Sequence, residues 1–374
     1  MPNNTPIRRR LAACLGTALS LLITGCATPI PDGDPGQPLT VRLPLRSAHI
    51  VDGRAAFAAA FQRELDASTT LSNKDAAAYL RIAAPAGSAA TASVPSDLRR
   101  TSVLLVPGLF GDCVDTQAVP FGDGVVRPRD DSYTQAYRIY DDLGLAGIRA
   151  MKVPGRASST ANGEIVAREL LAEAGRTDVD RIVLIGYSKG VPDMLEGLAR
   201  LQQQRQVPAK LQAVVSMAGV VMGTPLADRF GALYDAVSGA MEVAGCPPST
   251  GGEVQSMMRP VRRAWLADAV LPTSPRYYSI VGQAERDDVA LALRGFFDRL
   301  SAYDLRTDGQ VLLPDAILPD STLLAVANSD HWNFVLPFAR SPRRIVQAQL
   351  ASGRDFPREA LLRAIVRTVT ASPR

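Results

Sequence analysis

Histidine is the residue this chain can least spare: its 374 residues include two, His49 and His331. A metal centre built on several imidazoles is thereby excluded, and any reaction that needs a histidine base must use one of the pair. Cysteines number four, and none falls with histidine at metal-ligand spacing. No metal and no organic cofactor is expected. Aromatic residues make up 6% of the chain and are not interleaved with an arginine-lysine cluster, while the net charge is only +4. Nucleic acid is therefore not an expected partner. The Gly-x-Gly-x-x-Gly dinucleotide fingerprint is missing where a first βα turn would carry it; Pro107-Gly108-Leu109-Phe110-Gly111 stands there instead, which sets the Rossmann topology aside.

What the chain does have is core material: 47% hydrophobic residues against 21% charged, enough for one large α/β domain or two smaller ones. Its N-terminus is a targeting segment. Arg8, Arg9 and Arg10 precede an apolar run from Leu11 to Ile23 that is too short for a stable membrane span. The run ends in Leu22-Ile23-Thr24-Gly25-Cys26, which resembles a bacterial lipobox. The resemblance implies a signal peptide over 1–25 and a lipid-modified Cys26. It also implies attachment on the periplasmic side of a membrane, with Ala27 favouring the outer membrane. With Cys14 removed and Cys26 acylated, Cys113 and Cys246 remain. Both lie in Gly/Pro-rich loop sequence, and an oxidising compartment leads us to expect a disulfide between them, two buried thiols being the alternative.

Prolines 29, 31, 35 and 38 make 26–47 a tether too poor in apolar residues to pack. Residues 48–100 read as a helical N-terminal appendage, with Ala55, Phe57, Ala60, Phe61 and Leu65 at helical spacing. Over 101–374, apolar strand runs alternate with helical patterns. Strands are expected at Ser102–Val106, Ile148–Val153, Arg181–Ile185, Leu211–Met217, Arg276–Val281 and Thr322–Ala327. Helices are expected at Tyr133–Leu143, Asn162–Ala174, after Ser188, at Asp287–Leu300 and at Arg358–Val369. This order predicts an α/β fold with a mostly parallel central sheet and helices on both faces. A mostly helical insertion at about 224–271, containing Met241, Met257 and Met258, would act as a cap over the carboxyl ends of the strands.

The most informative stretch is Gly186-Tyr187-Ser188-Lys189-Gly190, which follows the strand run from Arg181 and precedes a helical stripe of Val191, Met194, Leu195, Leu198 and Leu201. A serine at the tip of a strand, on a tight turn into a helix, needs glycine on either side to avoid backbone collisions. Such a serine needs a base. His49 precedes the whole sheet. His331, in Asn328-Ser329-Asp330-His331-Trp332-Asn333 after the Thr322 strand, sits where a side chain can reach over the carboxyl edge. The acid should come from the preceding connection, whose aspartates are 287, 288, 298, 304, 308, 315 and 320. Asp308 is preferred because Gly309 permits a sharp turn presenting it inward, and Asp304 is the runner-up.

The order Ser188, Asp308, His331 and the elbow pentapeptide resemble the α/β-hydrolases of the lipase/esterase kind, over roughly Thr101 to the C-terminus. The resemblance implies an oxyanion hole made by the Lys189 amide and by the amide of Leu109, with Pro107-Gly108 standing where many relatives have His-Gly. It implies hydrolysis of acyl esters, small-molecule or lipid, through an acyl-enzyme. An acyltransferase or thioesterase would use the same triad. A catalytically dead hydrolase fold serving as an envelope binding module is the alternative of another class.

Overall fold

The computed structural model describes residues 50–81, 97–109, 117–118, 125–126, 143–229, 248–341, 344–353 and 355–371. The signal segment, the tether, His49, Cys26, Cys113, Cys246, residues 133–142 and residues 230–247 of the insertion lie outside them.

The Val/Ile/Leu-rich runs assemble into one seven-stranded sheet. Its strands are β1 (Val51–Asp52), β2 (Thr101–Val106), β5 (Gly147–Ala150), β6 (Arg181–Tyr187), β7 (Leu211–Met217), β8 (Arg276–Gly282) and β9 (Thr322–Ala327), in the spatial order β1-β9-β8-β7-β6-β2-β5. Every neighbouring pair in it is parallel. Two short strands, β3 (Gln117–Ala118) and β4 (Val125–Val126), form a separate antiparallel pair.

A parallel sheet is stable only with both faces covered, and the strand sequences supply two apolar faces by alternation. Val103, Leu105, Val183 and Ile185 join one buried cluster; Leu104, Val106, Ile182 and Leu184 join the other. The first face is covered by α1 (Arg54–Ala67) and α9 (Arg358–Ala371). The second is covered by α2 (Ser159–Ala174) and α3 (Gly190–Gln203), whose Val191, Met194, Leu195 and Leu198 form a fully buried stripe. Between these lie the shorter helices α4 (Pro225–Arg229), α5 (Arg259–Asp268), α6 (Arg294–Ser301), α7 (Leu313–Ala316) and α8 (Arg344–Leu350). None of the described helices is long and apolar enough to cross a membrane.

Two regions depart from the sequence expectation. The start of the segment taken as an appendage is built into the domain. Val51 and Asp52 pair with Thr322 and Leu323 of β9, and Phe57, Phe61 and Leu65, one helical stripe, are fully buried with the α9 core. Phe61 stacks on Phe356 with ring centroids 6.3 Å apart. The expected helix over 287–300 is broken: 3-10 turns at Arg286–Asp288 and Leu291–Leu293 precede α6. The Ala290 amide, which a continuous helix would point at its own carbonyls, donates instead to Asp330 Oδ2 at 2.7 Å.

The described parts of the insertion (α4, a 3-10 turn at Gln255–Met257, and α5) follow the carboxyl end of β7. They bring Ala227 and Met257 into a cluster with Val220, Val281 and Val311. Apolar side chains thus line the edge of the sheet at which Ser188 emerges.

Candidate active site

Ser188 leaves the end of β6 with φ +54, a left-handed backbone that a residue with a β-carbon adopts only when its surroundings hold it there. Three main-chain hydrogen bonds do so. Ser188 N donates to Met217 O (3.0 Å), and Ser188 O accepts from Val191 N (3.1 Å) and Val220 N (3.2 Å). The flanking glycines have the steric role read from the pentapeptide. A β-carbon at Gly190 would lie 2.2 Å from Val106 O, and one at Gly186 would lie 3.0 Å from both Gly190 O and Val191 Cα. Strand β2 therefore approaches the turn closely enough that only glycine fits at 190.

His331 and Asp308 meet this serine. Ser188 Oγ lies 2.8 Å from His331 Nε2, and His331 Nδ1 lies 2.8 Å from Asp308 Oδ2. In the tautomer protonated at Nδ1, imidazole donates to the carboxylate and accepts from the serine hydroxyl. All three side chains are buried, Ser188 at 8% exposure being the most accessible. The Asp308 carboxylate is fixed by its other oxygen, which accepts from Gln310 N (2.9 Å) and Val311 N (2.8 Å). Gly309, at φ +90, makes that turn possible. The His331 amide also donates to Asp308 O at 2.8 Å, so the Asp308 and His331 loops are joined through main chain as well as side chain.

Asp304 lies outside this constellation. Its carboxylate takes the Arg306 guanidinium on both oxygens (2.9 and 2.6 Å). Burial works to raise its pKa, but the Arg306 hydrogen bonds and charge outweigh it and leave the pKa lowered. Two other aspartates of the connection are similarly engaged, Asp298 with Arg286 and Asp315 with Arg263.

The loop Pro107-Gly108-Leu109 lies against the serine: a β-carbon on Gly108 would sit 3.0 Å from Ser188 Cβ. Among the described residues, neither the Leu109 amide nor the Lys189 amide donates to a protein acceptor. Two main-chain donors therefore remain uncommitted on the residues flanking Gly108 and Ser188. The loop 155–160 ends as a helix cap, with Ser158 Oγ accepting from Ala161 N at 3.2 Å. Among the described residues no group of three His, Cys, Asp or Glu side chains is placed to hold a metal ion.

Two buried polar features escaped the sequence reading. Lys189, fully buried, places Nζ 2.9 Å from each oxygen of Asp193, which also accepts from Asn162 Nδ2 at 2.7 Å. Burial raises the pKa of Asp193, with Lys189 and Asn162 opposing. The i,i+4 spacing of opposite charges at the head of an apolar helix was the available signal. Asp330, next to His331, accepts from Ala290 N, Trp332 N, Asn333 N and Asn333 Nδ2 at 2.7 to 3.1 Å. It locks the histidine loop to the segment ahead of α6, and burial again raises its pKa. An aspartate at the start of a tight loop is an Asx-turn signal, but its distant partner Ala290 is invisible in sequence.

Solved structures of similar fold are known. The metagenomic carboxyl esterase MGS0156 shares 30% identity, with a TM-score of 0.69 over 89% of this chain and 96% of that one. The mature form of Bacillus licheniformis lipase BlEst2 matches at 19% identity and TM-score 0.44 over 66% of this chain and 89% of that one. EstA from Clostridium botulinum matches at 10% identity and TM-score 0.49 over 84% and 98%. No family model and no curated protein matches the sequence. On the extent and identity of the first match, with the parallel sheet beneath it, the chain belongs to the α/β-hydrolase superfamily, in the same family as that carboxyl esterase.

Proposed function

We propose that this protein is a serine hydrolase that cleaves carboxylic esters through an acyl-enzyme, with Ser188 as nucleophile, His331 as base and Asp308 as its orienting acid. The observation that carries the proposal is the unbroken chain from Ser188 Oγ through the imidazole to Asp308, two contacts of 2.8 Å within a buried site. His331 Nε2 takes the serine proton as Oγ attacks the ester carbonyl. Asp308, acceptor-only while ionised, stabilises the imidazolium without taking its proton. The carbonyl oxygen becomes an oxyanion, and the Leu109 and Lys189 amides are the donors assigned to stabilise it. Collapse expels the alcohol, which leaves with the proton from His331. Water, activated by the same imidazole, then releases the acid.

The apolar cluster of Leu109, Val220 and Met257 beside the site supports an apolar acyl group. The family relationship to a carboxyl esterase supports the ester class. The N-terminal pattern ending at Cys26 supports a further part of the reading, a lipid-tethered enzyme on the periplasmic side of the envelope; globomycin-sensitive processing would test it.

The test is hydrolysis of p-nitrophenyl esters of graded acyl length by the soluble domain and its Ser188→Ala variant. Turnover by the wild type, reduced by about 10⁴- to 10⁶-fold in the variant, is expected. A folded wild type with no turnover on any ester would remove the proposal.

A further inference from the structure

Ser188 and His331 lie 143 residues apart, just beyond strands β6 and β9, which have β7 and β8 between them. A 2.8 Å contact across that span requires the histidine main chain, and not only its ring, to be held at a fixed distance from the elbow. The structure provides both ends of such a clamp. On the amino side, the His331 amide donates to Asp308 O at 2.8 Å. On the carboxyl side, His331 O accepts from the hydroxyl of Tyr187 at 2.9 Å. Tyr187 is the last residue of β6 and is bonded directly to Ser188 in the chain. Its ring belongs to the buried cluster that also holds Met217, Ala218, Ala327, Phe334 and Val335. The ring also packs against the imidazole, with centroids 5.4 Å apart and planes tilted by 33°.

We infer that Tyr187 is a positioning residue for the hydrolysis proposed above: its hydroxyl fixes the His331 main chain so that Nε2 stays within reach of Ser188 Oγ. The inference rests on the reading of Ser188, His331 and Asp308 as the reacting group. The Tyr187 hydroxyl bonds the His331 main-chain carbonyl and not the imidazole nitrogens or Ser188 Oγ. Its side chain is buried, and burial together with the Asp308 and Asp330 carboxylates holds its pKa well above the usual phenol range, so the donor keeps its proton. Nothing in the elbow motif requires a tyrosine at this position. Glycine at 186 and 190 answers steric demands, whereas the residue at 187 could be any that packs.

The experiment compares Tyr187→Phe with Tyr277→Phe. The second variant removes a part-buried tyrosine-to-carbonyl bond, Tyr277 Oη to Pro272 O at 2.7 Å, at the opposite end of β8 from its carboxyl edge. Values of kcat and KM for a p-nitrophenyl ester, the rate of fluorophosphonate labelling and Tm are measured for both. For Tyr187→Phe we expect kcat and labelling rate to fall together by about tenfold, with KM within about twofold of wild type. Tyr277→Phe should lower Tm without changing kcat. Replacing Tyr187 by p-aminophenylalanine, which restores a donor at the same place, should recover most of the lost rate. Three results would overturn the inference: Tyr187→Phe losing only Tm, its loss falling on KM alone, or no recovery with the restored donor. A wild type that neither turns over esters nor is labelled would remove the underlying hydrolase reading and this inference with it. Failure confined to the variants would remove only the inference.

Discussion

Two buried pairs of a basic side chain with a carboxylate flank Ser188, and they differ in where their hydrogen bonds end. Lys189 and Asp193 face each other at 2.9 Å with 0% and 1% side-chain exposure. His331 and Asp308 do so at 2.8 Å with 2% each. By burial and distance the pairs are nearly interchangeable. Lys189–Asp193 closes on itself: both carboxylate oxygens take the ammonium, and Asn162 takes up more of what remains. Asp308 spends one oxygen on main-chain amides, and its imidazole partner has a second nitrogen turned toward a hydroxyl. A closed pair holds a helix to its turn. An open one can pass a proton. Burial and charge alone therefore do not single out one pair, whereas the uninterrupted path to the Ser188 hydroxyl is what supports the proposed role of His331 and Asp308.

Substitutions should separate the pairs. Asp308→Asn removes the acceptor that selects the Nδ1-protonated tautomer, and kcat is expected to fall by about 10⁴-fold with the fold retained, as steady-state kinetics and circular dichroism would show. A loss below tenfold would place Asp308 among the structural carboxylates. Lys189→Met should act on stability first: breaking a buried pair from one side costs about 3–5 kcal/mol, read from the urea midpoint. Lys189→Met combined with Asp193→Leu should regain most of that, because the stranded carboxylate is gone. If the single variant were as stable as wild type, the pair would not be holding the elbow helix. Asp304→Asn should do least. Its pair with Arg306 is part-exposed, worth no more than about 1 kcal/mol, and kcat should stay within about twofold.

Much of the candidate site was legible because its demands are local. Glycines at 186 and 190 answer collisions within the turn and with β2, and Gly309 answers a positive φ beside Asp308. With two histidines in the chain, the proposed base had little competition. The strands were readable as apolar runs with turn residues behind them, and Leu211–Met217 and Thr322–Ala327 coincide with β7 and β9. What was not legible depends on partners far along the chain. The two-residue strand β1 carries no periodicity of its own and exists because the edge of β9 is free to pair. The segment 287–300 has helical spacing throughout, yet Asp330 takes the Ala290 amide out of register. Tyr187 shows the same limitation within the motif itself. The pentapeptide identifies the serine, but the hydroxyl beside it is engaged by a carbonyl 144 residues away.

Covalent labelling tests the central claim most directly. The folded soluble domain is treated with a fluorophosphonate, digested and read by mass spectrometry. A single phosphonyl adduct on the peptide carrying Ser188, formed by wild type, absent in Ser188→Ala and formed far more slowly in Asp308→Asn, is the predicted result. A folded wild type that takes no adduct, or an adduct that persists in Ser188→Ala, would contradict it.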